Sequence, residues 1–289
     1  MNLADTYMNR DVRNILKNGY KDVNPRPKYE DGTPAYTYSV NHIIRKYDLS
    51  KGEFPILTLR PIAWKTGIKE IFTIYQNPTN VISKMEDMGV HWWNPWDIGD
   101  GTIGQRYGAT VKRYDLINNL IKDIQTDPYG RRKVMSLWQE NDLRETDGLA
   151  PCAFLTIWNV RNDKDGNEYL DMCLIQRSGD MITASGAGSM NEVQYAALLM
   201  MIARHTGYKA GVFTHFVANE QIYDRHIKQA EELKNRYYYE VLHNTNLVCK
   251  TPMLILNPEK TNFFEMTIDD FSIINYEPIK PQIKLELGI

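Results

Sequence analysis

The sequence predicts an α+β fold in one domain spanning residues 1–289. Segments with an apolar repeat near 3.6 residues mix with segments of period two, without the regular strand–helix–strand beat of a parallel α/β protein. No repeat, low-complexity stretch or linker divides the chain. Hydrophobic residues make up 43% of the 289 and charged residues 24%, so a sizeable core can form without staples.

Residues 5–18 carry Val12, Ile15 and Leu16 at helical spacing and stop at Gly19, a residue suited to a helix C-terminus. From Asp31, DGTPAYTYSVNHIIRKYDL reads as a turn followed by a strand rich in β-branched and aromatic residues. Residues 64–76 and 116–125 have helical periodicity. Residues 133–139, 154–162 and 168–178 read as strands, with DKDGNE turning a hairpin between the last two. Residues 191–206 are apolar nearly all round, which predicts a buried central helix. A strand over GVFTHFVANEQIY and a helix over YDRHIKQAEELKNR follow.

A net charge of −2 excludes bulk nucleic-acid binding, so an anion site must be a local cluster of arginines. Cys152, Cys173 and Cys249 are odd in number and far apart, giving neither a metal spacing nor a disulfide framework. A reducing compartment is expected, and no metal. The mixed-charge start lacks the apolar core of a signal peptide, and no uncharged run approaches the ~18 residues that cross a bilayer. These features predict a cytoplasmic protein with no membrane partner.

Several residues are candidates for chemistry. LAPCAF puts Cys152 between a proline and a strand, where it is either a buried structural cysteine or a thiol activated by arginines at Arg26, Arg131–Arg132 or Arg177. Arg131 and Arg132 stand at the mouth of a strand. Consecutive strand residues point to opposite faces, so both serving one site needs a loop or a second chain. In Gln176-Arg177-Ser178, the guanidinium and hydroxyl can grip one phosphate. GAGSMN, just beyond, is neither GxGxxG nor a P-loop; its small residues suit a loop, although it precedes a helix. Glu70 lies in an apolar helical pattern, either on the helix surface or buried with a raised pKa. HWWNPW (91–96) is a core corner or a wall for a planar ligand. Asn191 is a helix N-cap or a reader of a nucleobase edge.

Together these segments resemble the folate-dependent thymidylate synthase family over nearly the whole chain. The likeness rests on RPKYEDGT, WNPWDIGDGTIGQRYG, RRKVMSLW, LAPCAF, QRSGD, Asn-x-x-x-Tyr and the terminal PQIKLELGI, in that order, and is nearest to Gram-positive and phage members. The resemblance implies an α+β fold with a large mixed sheet packed with helices, a homodimer joined through the sheet face, and methylation of dUMP at C5 with 5,10-methylenetetrahydrofolate as co-substrate. By position, Cys152 is the implied nucleophile, with Glu70 organising proton transfers, Tyr107 near the C5 proton and Asp180 holding the pterin. Arg26, Arg177 and Ser178 are implied to bind phosphate, together with Arg131 and Arg132 from the partner subunit, which removes the geometric objection. The same resemblance gives Asn191 the uracil edge, Gln176 a place in the substrate site, Gln221 and Tyr223 the ribose, and Trp93 an aromatic wall by the folate.

The chain departs from the common family pattern at several positions. Asn191 follows Asp180 by eleven residues through MITASGAGSM, three more than usual. Gln221 stands where the family usually has histidine, Ala153 replaces a histidine after the nucleophile, and Asn219 replaces an aspartate. The longer segment keeps an alternative open, a dUMP hydroxymethylase of the same fold in which water replaces hydride in the last step.

Overall fold

A 12-residue strand, β2 (Thr37–Asp48), and a 15-residue strand, β7 (Lys209–Tyr223), pair antiparallel from Thr37↔Tyr223 to Asp48↔Val212 and form the spine of the sheet. The computed structural model describes residues 2–243 and 251–286; Cys249 lies outside the described residues. Around the spine the order is β1-β2-β7-β5-β4-β3, completed by β1 (Tyr20–Lys21), β3 (Val134–Ser136), β4 (Ala153–Asn162) and β5 (Glu168–Gln176). β5 runs parallel to β7 and antiparallel to β4, so the sheet is mixed, as the family resemblance implies. A short β6 (Gly179–Asp180) also pairs parallel with β7, placing Asp180 opposite Gln221.

One face of the sheet is covered. Phe213 and Val217 of β7, with Leu170, Met172 and Leu174 of β5, alternate into the core. α7 (Met190–Thr206) and α8 (Ile227–Leu242) pack against β7, α1 (Leu3–Asn18) packs against β2 and α8, and α2 (Trp64–Ile71) packs on α7. Eleven of the seventeen residues of α7 are buried, which makes it the expected central helix. The opposite face leaves Ile44 and Val134 exposed, with Leu155, Ile157, Cys173, Ile175 and Phe216 half-buried. No helix among the described residues is long and apolar enough to cross a membrane.

Some elements differ from the sequence expectation for local reasons. The helix expected over 64–76 ends at Ile71 and widens into a π-helical turn over Phe72–Gln76, where the Gln76 amide donates to Phe263 O and Met266 O. The strand expected over 133–139 shortens to Val134–Ser136 because the Ser136 hydroxyl turns back onto Trp138 N. A two-stranded ribbon of β8 (Met253–Leu256) and β9 (Phe271–Ile274) has only four residues per strand, too few for a periodic signal. The chain also forms three short helices, α3 (Ile82–Asp87), α4 (Gly108–Arg113) and α6 (Glu140–Glu145), besides the expected α5 (Leu116–Thr126).

The core also holds an ionic cluster. Arg45 of β2, fully buried, donates to Asp11 (2.8 Å), Glu220 (2.6 Å), Glu192 (3.3 Å) and the carbonyl of Ser185 (2.9 Å). Burial pushes the Glu220 carboxyl up to about 7 against the pull of Arg45. Arg45→Met would remove the cation shared by three buried carboxylates, leaving Asp11 its bond from Arg10 but Glu192 and Glu220 no guanidinium, which costs about 3–5 kcal/mol. A urea midpoint lowered at unchanged slope is the expected result; an unmoved midpoint would show that the cluster contributes nothing to stability.

Candidate active site

The site forms where the most apolar helix begins with polar residues. Asn191, Glu192 and Gln194 occupy the first turn of α7, and the last two are buried. Residues three apart share a helix face, so Asn191 Nδ2 donates to Gln194 Oε1 at 3.2 Å. The Gln194 amide nitrogen donates in turn to Gly67 O (3.3 Å) and to the Glu70 carboxylate. Asn191 is therefore a link in an amide chain rather than a helix cap; Ser189 holds the N-cap position.

Glu70, on α2, is buried and accepts from the indoles of Trp92 (2.8 Å) and Trp93 as well as from Gln194. Burial raises its pKa, and the three donors temper the rise. The buried reading of Glu70 holds, and HWWNPW has a use: two neighbouring indoles aimed at one carboxylate. Trp93 also packs on Tyr107, with ring centroids 5.0 Å apart. Tyr107 has φ 46°, a positive value uncommon outside glycine, at the residue before α4. That turn brings its buried hydroxyl to accept from Cys152 N at 3.3 Å.

Cys152 immediately precedes β4 and is half-buried. Arg177, one residue past β5, crosses to it. Its guanidinium donates to Pro151 O (3.0 Å), Ala150 O (2.7 Å) and Cys152 Sγ (3.5 Å), while its backbone N–H donates to Cys152 O (2.9 Å). Burial raises the thiol pKa, and Arg177 and Arg26 oppose it without overcoming it. The arginine activation expected from sequence is present but outweighed in the free chain. Alkylation of Cys152 by iodoacetamide, followed on its own peptide by mass spectrometry, should therefore keep rising about tenfold per pH unit to about pH 9. A plateau near neutrality would mean that the arginines win.

The remaining candidates divide by location. Tyr223 is buried against Tyr29, and burial pushes its hydroxyl up to about 12, with the charges of Asp180 and Cys152 adding and Arg26 opposing. Asp180, Cys152, Tyr223 and Arg26 thus share one electrostatic neighbourhood. Gln176 donates to Ser178 O (3.0 Å) and Asn191 Oδ1 (3.3 Å). Asp180 Oδ1 accepts from Ile182 N (3.2 Å) and Thr183 N (3.3 Å), and burial raises its pKa. Arg26 is exposed, and so are Arg131 and Arg132, on the segment leading into β3.

The glycine-rich run is neither a phosphate cradle nor an open lid. The N–H groups of Gly186, Gly188 and Ser189 are taken by Met181 O, Glu192 and Gly186 O. Gly188 has φ 65° and lies so close to Ile56 and Leu57 that a Cβ would meet Leu57 N at 2.4 Å. Arg60 ties the preceding turn through Ile182 O (2.8 Å) and Thr183 O (3.2 Å). The residues that sequence reasoning missed are Trp92 and Gln194; the Asn-x-x-Gln spacing at a helix start is the signal that would have found Gln194.

Comparison with known proteins agrees with this geometry. The thymidylate synthase family model matches residues 5–289. A thymidylate synthase of Lactococcus lactis subsp. cremoris is 48% identical over 291 residues, and one of Streptococcus pneumoniae is 48% identical over 292, each covering the whole of both chains. The solved thermostable thymidylate synthase A of Bacillus subtilis superposes with a TM-score of 0.85 at 32% identity, over 99% of each chain. A chain that matches this family along its full length, with Cys152, Arg177, Tyr107, Glu70 and Asn191 gathered at one end of its sheet, belongs to the thymidylate synthase family.

Proposed function

We propose that the protein converts dUMP to dTMP, with 5,10-methylenetetrahydrofolate supplying the methyl carbon and its reducing equivalent. The observation that supports this most is the convergence on Cys152: a thiol under Arg177, its backbone N–H on Tyr107, close to an amide chain that ends on the buried Glu70. Sγ adds to C6 of the pyrimidine as thiolate, and the C5–C6 electrons make C5 nucleophilic. The N–H that Asn191 does not spend on Gln194 would donate to O4, where negative charge develops, and its carbonyl would accept from N3–H. Glu70, with its raised pKa, is placed to move protons by way of O4, and Tyr107 to accept the one leaving C5. The addition turns sp² C6 tetrahedral, so a planar ring must sit over Sγ.

Arg26, Arg177 and Ser178 would hold the phosphate, and Gln221 and Tyr223 the ribose. The exposed Arg131 and Arg132 would complete the phosphate site of the partner in a homodimer, joined through the half-buried apolar face of the sheet. The folate fits beside Asp180: both backbone bonds fall on Oδ1, which leaves Oδ2 for a ligand's N–H groups. Trp93 would form part of its wall. Among the described residues no cluster of three or more His, Cys, Asp or Glu is arranged to hold a metal ion. One domain, 1–289, in the cytoplasm is consistent with the free thiols of Cys152 and Cys173.

The hydroxymethylase alternative is not favoured. The longer segment that kept it open is packed against Leu57 and Arg60, and the relatives are named thymidylate synthases. The deciding experiment mixes protein, dUMP and 5,10-methylenetetrahydrofolate. Dihydrofolate formed one for one with dTMP supports the proposal, and a hydroxymethyl nucleotide without dihydrofolate overturns it.

A further inference from the structure

We infer that His215, on β7, is a positioning residue whose Nε2–H donates to Gln176 and so holds the Asn191 amide in the orientation that accepts uracil and refuses cytosine. This rests on the proposed reading of Asn191 and extends it to a residue that touches no substrate. The hydrogen bonds fix one another from the Glu70 end. Gln194 Nε2 faces Gly67 O and the Glu70 carboxylate, which only accept, so Gln194 presents Oε1 to Asn191 Nδ2. Asn191 Oδ1 is then the atom facing Gln176 Nε2, which also donates to Ser178 O. Gln176 must therefore turn Oε1 towards His215 Nε2, 3.1 Å away, and that nitrogen must carry hydrogen.

The other side of the ring meets an acceptor as well. His215 Nδ1 lies 3.0 Å from Glu192 Oε1. Glu192 already accepts from Tyr47 OH (2.7 Å), Gly188 N (2.7 Å) and Arg45 (3.3 Å). Both His215 and Glu192 are fully buried, so neither can turn to water. The commonplace arrangement, neutral histidine donating from Nδ1 to a carboxylate, would set a bare Nε2 lone pair against the Gln176 carbonyl. Instead the amide chain puts the proton on Nε2, and a second hydrogen on Nδ1 would donate to Glu192 Oε1 as an ion pair. Burial holds the imidazole pKa below its ordinary value and so works against that second hydrogen, while the Nε2–H is required by the amide chain in either state. Asn191 keeps one lone pair and one N–H for a ligand, in the order that matches uracil N3–H and O4. Cytosine reverses that order at both atoms.

The test compares binding of dUMP and dCMP to the full-length protein. Wild type should prefer dUMP, and His215→Phe should narrow that preference about tenfold, mostly by weakening dUMP, with KM rising more than kcat falls. His215→Gln, whose amide can donate at the Nε2 position, should restore most of the ratio. A merely structural role would weaken both nucleotides alike, because they share the phosphate grip, so an unchanged ratio in His215→Phe overturns the inference. Equal loss in both variants overturns the hydrogen bond as its cause. A wild type without preference would instead overturn the reading of Asn191. Should His215→Phe fail to fold, ¹⁵N NMR of wild-type histidines decides: protonated Nε2 supports the inference, and an Nδ1–H tautomer with bare Nε2 sinks it.

Discussion

Cys152→Ala is expected to lower turnover at least about 10⁴-fold while leaving dUMP affinity within a few-fold of wild type. The split follows from how Arg177 is held. Only one of its contacts is to Sγ, at 3.5 Å; the others are to the carbonyls of Ala150 and Pro151, and these survive the substitution. The guanidinium therefore keeps its place when the thiol is gone, and the phosphate grip proposed for it should survive. Cys152→Ser should fare little better, because an alcohol at neutral pH offers almost no alkoxide to add to C6. Single-turnover product formation, alongside nucleotide titration, measures both halves. Retention of more than about one part in a hundred of the wild-type rate would exclude covalent addition by Cys152.

Local chemistry made Cys152, Arg177 and Glu70 candidates with a structural alternative open at each, and the family resemblance alone implied their roles. The structure sets Arg177 on Cys152 and buries Glu70, which the local patterns left undecided. The long strands and α7 were legible, since period two and an all-round apolar run survive any tertiary context. What stayed hidden depends on pairing across the chain. Nothing near Trp92 says that it and Trp93 converge on Glu70, because that requires 91–96 to fold back on α2. GAGSMN read as a loop, but only the approach of Ile56 and Leu57 shows why glycine stands at 188. Arginine charge near Cys152 was foreseen, whereas its contest with burial needed the fold.

Glu70→Gln should lower kcat about 10²- to 10⁴-fold, and its effect should not stop at proton transfer. Every neighbour of the carboxylate donates: Trp92, Trp93 and Gln194. A glutamine at position 70 has one acceptor atom for three donors. With its carbonyl kept towards the two indoles, its NH₂ faces the Gln194 amide nitrogen, and Gln194 must turn over. Turning places its nitrogen against Asn191 Nδ2 and abandons Gly67 O. The substitution thus unsettles the uracil reader as well as removing a proton carrier. KM for dUMP should rise together with the fall in kcat, and the preference over dCMP should narrow. The pH profile separates the two effects. Burial raises the Glu70 pKa, so the wild-type kcat/KM profile should have a limb above the ordinary glutamate range, which Glu70→Gln should abolish. Persistence of that limb would assign it to another group. A lower kcat with unchanged KM and base preference would mean that Gln194 holds its orientation on Gly67 O alone, and that Asn191 is anchored from the Gln176 side.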